Sequence, residues 1–198
     1  MNGPRIRRLK ADYEKVIEEF TGHNYVSVIT EEARPPEIYY VTYRVAGLRL
    51  ENKTPVENHM HKVVFYLGKD YPKLKPKCEI KTPIFHPNFR GGIVCIGDQW
   101  TAGGETLIDL IIKVGDMIQY KDYKLKSPLD AKAAKWAKEN ESFFPVGNLD
   151  LYRSELELQI GLAENDDWTI EIVNKEETIK ADDIVEFEID IHEGKGEY

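Results

Sequence analysis

A chain of 198 residues with 41% hydrophobic and 31% charged side chains can build one domain with a real core and a small appended module, but nothing much larger. No stretch approaches the roughly 18–20 apolar residues of a membrane span, and two cysteines, Cys78 and Cys95, exclude a disulfide-built scaffold or a thiolate zinc site, since neither has a partner at metal-ligand spacing. A net charge of -8 and a pI of about 5.2 argue against a general nucleic-acid binder.

The opening "MNGPRIRRLK" is basic without a following apolar run, which argues against a secretory signal and sets the expectation of a cytoplasmic protein. In "RIRRLKADYEKVIEEF" the residues Ile6, Leu9, Tyr13, Val16, Ile17 and Phe20 recur at three- and four-residue spacing, predicting an amphipathic helix whose other side begins with Arg5, Arg7, Arg8 and Lys10. "YVSVIT", "EIYYVTYRVAG" and "HKVVFYLG" follow as β-strands rich in branched and aromatic residues, and "KCEIKTPIF" alternates as a fourth, with Cys78 expected to be a small core residue. Short connections favour an antiparallel meander.

The segment "HPNFRGGIVCIGDQW", residues 86–100, has little helix or strand signal. Beyond it, "ETLIDLIIKVGDMIQY" carries a helical stripe of Leu107, Ile111, Val114 and Ile118, and "SPLDAKAAKWAKENESFF" predicts a further helix started by Ser127 and Pro128. "FPVGN" then punctuates the chain where its charge changes. Residues 1–149 carry 23 Lys and Arg against 19 Asp and Glu, a net of +4, while residues 150–198 carry 4 against 16, a net of -12. In that acidic part "ELELQIG", "WTIEIV" and "IVEFEIDI" alternate as three strands, with Trp168, Ile170, Ile172, Phe187, Ile189 and Ile191 supplying an apolar face.

A thiol serves as a core atom, a metal ligand or a nucleophile. Gly91 and Gly92 allow a backbone closed to other residues and clear side chains from the approach to Cys95, so an exposed, reactive thiol competes with a cysteine that ends a short "GIVCI" strand. His86, nine residues upstream, could activate that thiol as a base, or could use its ring to fix a turn ahead of Pro87. Asn88 can donate to an oxyanion without a change of charge. Thiol, amide and rigid turn together describe acyl transfer with little or no resident base.

"YPKLKPKCEIKTPIFHPNFRGGIVCIGDQW", followed by the "ETLIDLIIKVGDMIQY" helix and "SPLD", closely resembles the ubiquitin-conjugating enzymes, from the basic first helix to about Phe144. Tyr-Pro, His-Pro-Asn, cysteine and tryptophan in this order are far more specific than any one triplet. The resemblance implies an α/β sandwich with a four-stranded antiparallel meander, here residues 1–146, plus a small β-rich C-terminal extension at residues 150–194. It implies that Cys95 accepts an ubiquitin-like modifier from an activating enzyme as a thioester and passes it to an amine of a target protein. Asn88 would support the loop and the oxyanion, His86 and Pro87 would be structural, and Asp130 would orient or deprotonate the incoming lysine. Asp98 is a second candidate acid. A carboxylate suits that task because a lysine, with an ordinary pKa near 10.4, is a poor nucleophile while protonated. Arg5, Arg7, Arg8 and Lys10 would meet the activating enzyme. No metal or cofactor is implied, and ATP is needed only by the activating enzyme; no nucleic acid or membrane partner is expected.

The sequence departs from the family pattern in places. The Asn88 to Cys95 interval is seven residues, one fewer than usual; Lys73 stands where an apolar residue meets RING-type ligases; and Thr101-Ala102-Gly103 replaces Ser-Pro-Ala. These changes point to a divergent ligase or none, and to the operon-encoded bacterial members, including antiviral ones. The acidic extension, standing where the family's final helix is expected, would cap the core or recruit a basic partner surface. Two rival readings are an inactive variant that binds a modifier or acts as a scaffold, and a cysteine hydrolase with His86 as base.

Overall fold

The computed structural model describes residues 3–98 and 100–152 throughout and, beyond them, the backbone of two strands. The chain divides into two units, Met1–Arg153 and Ser154–Tyr198.

Helix α1, Pro4–Phe20, starts with proline in its first turn, where the missing N–H costs no helical bond. It buries Leu9, Val16 and Phe20 along one stripe. The strands β1 (Val26–Thr30), β2 (Ile38–Tyr43), β5 (His61–Tyr66) and β6 (Lys77–Ile80) follow one another antiparallel across the sheet. Register explains the core face: Val41 opposes Val28 and Val63, and Phe65 lies between Tyr39 and Cys78. Most of these side chains are buried, because alternate residues of a strand share one face.

Two features differ from the expected four strands. Between β2 and β5 the chain makes a separate hairpin, β3 (Gly47–Glu51) and β4 (Thr54–Asn58), turning at Asn52 and Lys53, both at positive φ. Gly47 tolerates no side chain, since a Cβ there would lie 2.8 Å from both His61 Nε2 and Ile118 Cγ2. The segment read as nearly structureless forms two short strands, β7 (Phe89–Arg90) and β8 (Ile93–Val94), which extend the sheet to six in the order β1-β2-β5-β6-β8-β7.

Helix α2, Leu107–Ile118, is opened by a capping box in which Thr106 and Asp109 satisfy each other's backbone N–H. Its apolar side enters the main core, where the buried Tyr43 hydroxyl donates to Ile111 O at 2.8 Å. Helix α3 spans Ala131–Glu139 and begins later than expected, capped by Asp130. Ser127, at positive φ, and Pro128 precede it, since the backbone N–H groups of Leu129 and Asp130 are drawn to Pro87 O instead. Ala133 and Ala137 pack with Leu48, Phe85 and Tyr120 into a second core, flanked by Trp136 and Phe144. Leu149 and Leu151 still belong to the first unit's main core, Leu151 with no exposed surface.

In the second unit β9 (Glu157–Leu162) and β10 (Trp168–Val173) pair antiparallel. The expected third strand and the proposed apolar face lie outside the described residues. Among the described residues no helix is long and apolar enough to cross a membrane.

Candidate active site

The site begins with a buried turn. His86 has no exposed surface, and its Nδ1 accepts the backbone N–H of Asn88 at 3.0 Å, so its ring proton sits on Nε2. The ring meets Tyr120 and Phe89 edge-on, at 4.5 and 4.8 Å between centroids. This apolar enclosure pushes its pKa down to about 3, because a charged ring there would lose its hydration. His86 is therefore neutral at ordinary pH, with Nδ1 committed to the Asn88 N–H. The carbonyl of Pro87 accepts from Leu129 N at 2.8 Å and Asp130 N at 3.0 Å, tying the turn to the start of α3.

Asn88, also buried, grips a distant segment. Its Oδ1 accepts from Lys124 N at 2.8 Å and its Nδ2 donates to Lys124 O at 2.9 Å. Its own carbonyl accepts from Cys95 N at 2.9 Å. One residue thus fixes both the strand leading into the thiol and the loop after α2. The amide carries a second N–H besides the one given to Lys124 O.

Gly91 and Gly92, at φ 56° and 85°, form the β7–β8 turn. Their role is conformational: Gly92 O accepts from Ile80 N at 2.8 Å, holding the ribbon to the sheet. Val94 and Ile96 are buried on either side of Cys95, which leaves Cys95 exposed. Cys78 differs in every respect, since burial pushes its thiol up to about 12.

Cys95 and Asn88 border a shallow depression together with Lys113, Met117, Asp122 and Lys124. The sequence alone did not single out Lys113, Asp122 or Lys124. The i,i+4 spacing of Lys113 and Met117 on α2 was their one signal. Asp130 is not among the residues bordering the depression. Its Oδ1 accepts from Lys132 N at 2.9 Å and Ala133 N at 3.0 Å, the ordinary work of a helix cap. Asp98 is fully exposed, and Lys75 Nζ at 2.8 Å holds its carboxyl below the usual range, with Lys124 adding to the effect.

The basic residues of α1 divide. Arg5 binds Glu37 Oε1 at 2.8 Å and the carbonyls of Leu67 and Gly68, while Arg8 binds Asp12 Oδ2 at 2.8 Å, Ala102 O at 2.7 Å and Glu105 O at 2.8 Å. These two guanidinium groups brace the fold. Arg7 and Lys10 are exposed. Trp100 packs on Tyr71 and donates from Nε1 to Pro72 O at 2.8 Å. No group of His, Cys, Asp or Glu among the described residues is arranged to hold a metal ion.

Comparison with known proteins bears on the family and the fold. The family model for ubiquitin-conjugating enzyme matches residues 8–146. A stretch of 60 residues, 28% of this chain, is 38% identical to "Probable ubiquitin-conjugating enzyme E2 31" of Arabidopsis thaliana and spans 39% of that protein's length. The fold is similar to a crystal structure from Plasmodium yoelii of a protein assigned to the ubiquitin conjugating enzymes, with a TM-score of 0.53 at 20% identity, covering 74% of this chain and 91% of that one.

Proposed function

Since this chain belongs to the ubiquitin-conjugating enzyme family, matched over residues 8–146, we propose that it carries the C-terminal carboxyl of an ubiquitin-like modifier as a thioester on Cys95 and transfers it to an amine of a target protein. The observation that carries the reading is the exposed Cys95, held through Asn88 and lacking a resident histidine base. A thioester needs such a site: a base beside it would activate water and hydrolyse the intermediate before transfer. The neutral, enclosed His86 equally weighs against a cysteine hydrolase.

Asn88 positions the thiol and offers its remaining amide N–H to the tetrahedral oxyanion. Asp130, whose carboxylate caps α3 beside the turn held to Pro87, orients or deprotonates the incoming lysine. Lys10 and Arg7, exposed on α1, suit a contact with the activating enzyme. Residues 1–146 are the catalytic core, with Leu149 and Leu151 packed into it, and the acidic segment 150–194 caps the core or recruits a basic surface. The exposed Lys73, together with the short Asn88–Cys95 interval, supports a divergent ligase or none and an origin among bacterial operon-encoded, antiviral members.

The test is intact-mass spectrometry after incubation with an ubiquitin-like modifier, its activating enzyme and ATP, beside a Cys95→Ser variant. A thiol-sensitive adduct on the native chain, replaced by a stable ester or lost in the variant, is expected. No adduct while the activating enzyme is charged would favour a modifier-binding scaffold.

A further inference from the structure

Three charged side chains border the depression at the thiol and do not neutralise one another. Lys113, Asp122 and Lys124 make no ion pair or side-chain hydrogen bond among the described residues, though all three border one depression with Cys95. Some other lysines are paired, Lys75 with Asp98 at 2.8 Å and Lys121 with Asp116 at 2.8 Å, so the carboxylates of Asp98 and Asp116 are already engaged. Within the loop after α2, Lys121 is paired with Asp116, whereas Lys124 makes no ion pair and acts on the Asp98 carboxylate only at longer range. Lys124 is also held in place, because Asn88 grips its backbone on both sides and its ammonium lies 3.1 Å from where a Cβ of Gly97 would be.

Lys113 and Lys124 against Asp122, with the Lys75–Asp98 pair beside them adding no net charge, leave the surroundings of the thiol net positive before any acceptor arrives. A bare lysine adds a third cation and is repelled. A lysine flanked by carboxylates meets the opposite situation, with its own ammonium facing Asp122 and its acidic neighbours facing Lys113 and Lys124. Specificity of this kind rests as much on repulsion of the wrong partner as on attraction of the right one. We propose that the acceptor of the Cys95 acyl group is a lysine embedded in an acidic peptide segment. The inference deepens the thioester reading above and rests on it.

The transfer step balances without any further reagent. The acceptor ammonium gives one proton to Asp122 or water and its amine attacks the thioester carbonyl; the C–N bond forms, the C–S bond breaks, and the nitrogen's second proton goes, directly or through water, to the departing Cys95 thiolate.

The test loads Cys95 chemically, with a short peptide ending in Gly-Gly and activated as a mercaptoethanesulfonate thioester. Cys95 attacks its carbonyl and mercaptoethanesulfonate departs; buried Cys78 does not compete. The loaded, desalted full-length protein is then offered two peptides with a single central lysine, flanked on both sides by Glu or by Arg, and loss of adduct and gain of isopeptide product are followed by mass. The Glu-flanked peptide should react about tenfold faster at low ionic strength, with the ratio shrinking as salt rises. Lys113→Gln/Lys124→Gln should abolish the preference and Lys113→Glu/Lys124→Glu should reverse it; both leave the Asn88 bonds to the Lys124 backbone intact. Equal rates, a native preference for the Arg-flanked peptide, or a preference unchanged in both variants overturns the inference. So does a thiol-resistant adduct on Lys113 or Lys124, which would make them acceptors in their own right. Failure of Cys95 to take the acyl group at all overturns the thioester reading itself.

Discussion

Asn88 clasps the peptide unit of Lys124 from both sides, accepting from its N–H at 2.8 Å and donating to its carbonyl at 2.9 Å, across 36 positions of sequence. Asn88→Ala removes both bonds and leaves two backbone groups of Lys124 unpaired in a partly buried place. A loss of about 2–3 kcal/mol in stability is expected, since each buried group left unpaired costs on the order of 1–3 kcal/mol. Asn88→Asp keeps the acceptor but sets a carboxylate oxygen against the Lys124 carbonyl, so it should be at least as damaging. Urea denaturation of both variants, alongside acyl loading of Cys95, checks this. Unchanged stability in Asn88→Ala would show that the clasp is not structural.

His86 makes a prediction about pH. Its pKa falls from an ordinary 6.5 when unfolded to about 3 when folded. Between those values the unfolded chain holds the extra proton, so stability rises with pH through the window and is lost as pH falls from 6.5 toward 3. The slope from one such group is at most about 1.4 kcal/mol per pH unit. His61, also lowered by burial, contributes in the same direction. His86→Gln, which retains a side-chain acceptor for Asn88 N, should flatten that part of the stability curve while leaving acyl transfer without a new inflection near pH 6.5. An activity inflection that disappears in the variant would instead make His86 a catalytic base.

Much of this was legible in local pattern. The stripes of α1 and α2 and the alternation of β1, β2, β5 and β6 stand in the sequence because a core face imposes a period on it. The β3–β4 hairpin was not legible, since its turn at Asn52 and Lys53 lacks the glycine that usually marks positive φ. Pro128 suggested a helix start, but the neighbouring N–H groups are satisfied at Pro87 O, a bond between segments far apart in the chain. The same applies to the site. Cys95 and Asn88 could be picked from one short motif, whereas Asp122 and Lys124 reach the thiol only through the long-range clasp. Nor does helical spacing tell whether an arginine such as Arg8 turns outward or back onto carbonyl groups.

Arg8 and Lys10 should therefore separate stability from partner binding. Arg8→Ala leaves Asp12, which is 4% exposed, with the Tyr71 hydroxyl but without its cation, and frees the carbonyls of Ala102 and Glu105. A loss of about 3 kcal/mol is expected, because removing one partner leaves a buried charge poorly compensated. Arg8→Lys should recover only part of it, since an ammonium lacks the planar fork that reaches three acceptors. Lys10→Glu, at an exposed position, should change stability by less than about 0.5 kcal/mol, yet slow loading by the activating enzyme. Thermal denaturation read beside the loading rate distinguishes the two. Equal loading in Lys10→Glu would remove that residue from the activating-enzyme contact.

Leu151 and Gly115 define where the first unit's core ends. Leu151 is fully buried, and a Cβ added to Gly115 would lie 2.2 Å from its Cδ1 and 3.1 Å from Tyr43 Cε1. Gly115→Ala thus gains helix propensity in α2 but overpacks the contact, and a net loss of about 1–3 kcal/mol is expected. Leu151→Ala should cost about 2–5 kcal/mol through the cavity it leaves. Because the new methyl of the first variant would occupy part of the space vacated by the second, the double variant should be more stable than the sum of the single losses implies, with an interaction energy above about 0.5 kcal/mol. Chemical denaturation of all four proteins measures this. Strict additivity would mean that Leu151 does not rest on α2 in solution, and that the core closes before the chain reaches it.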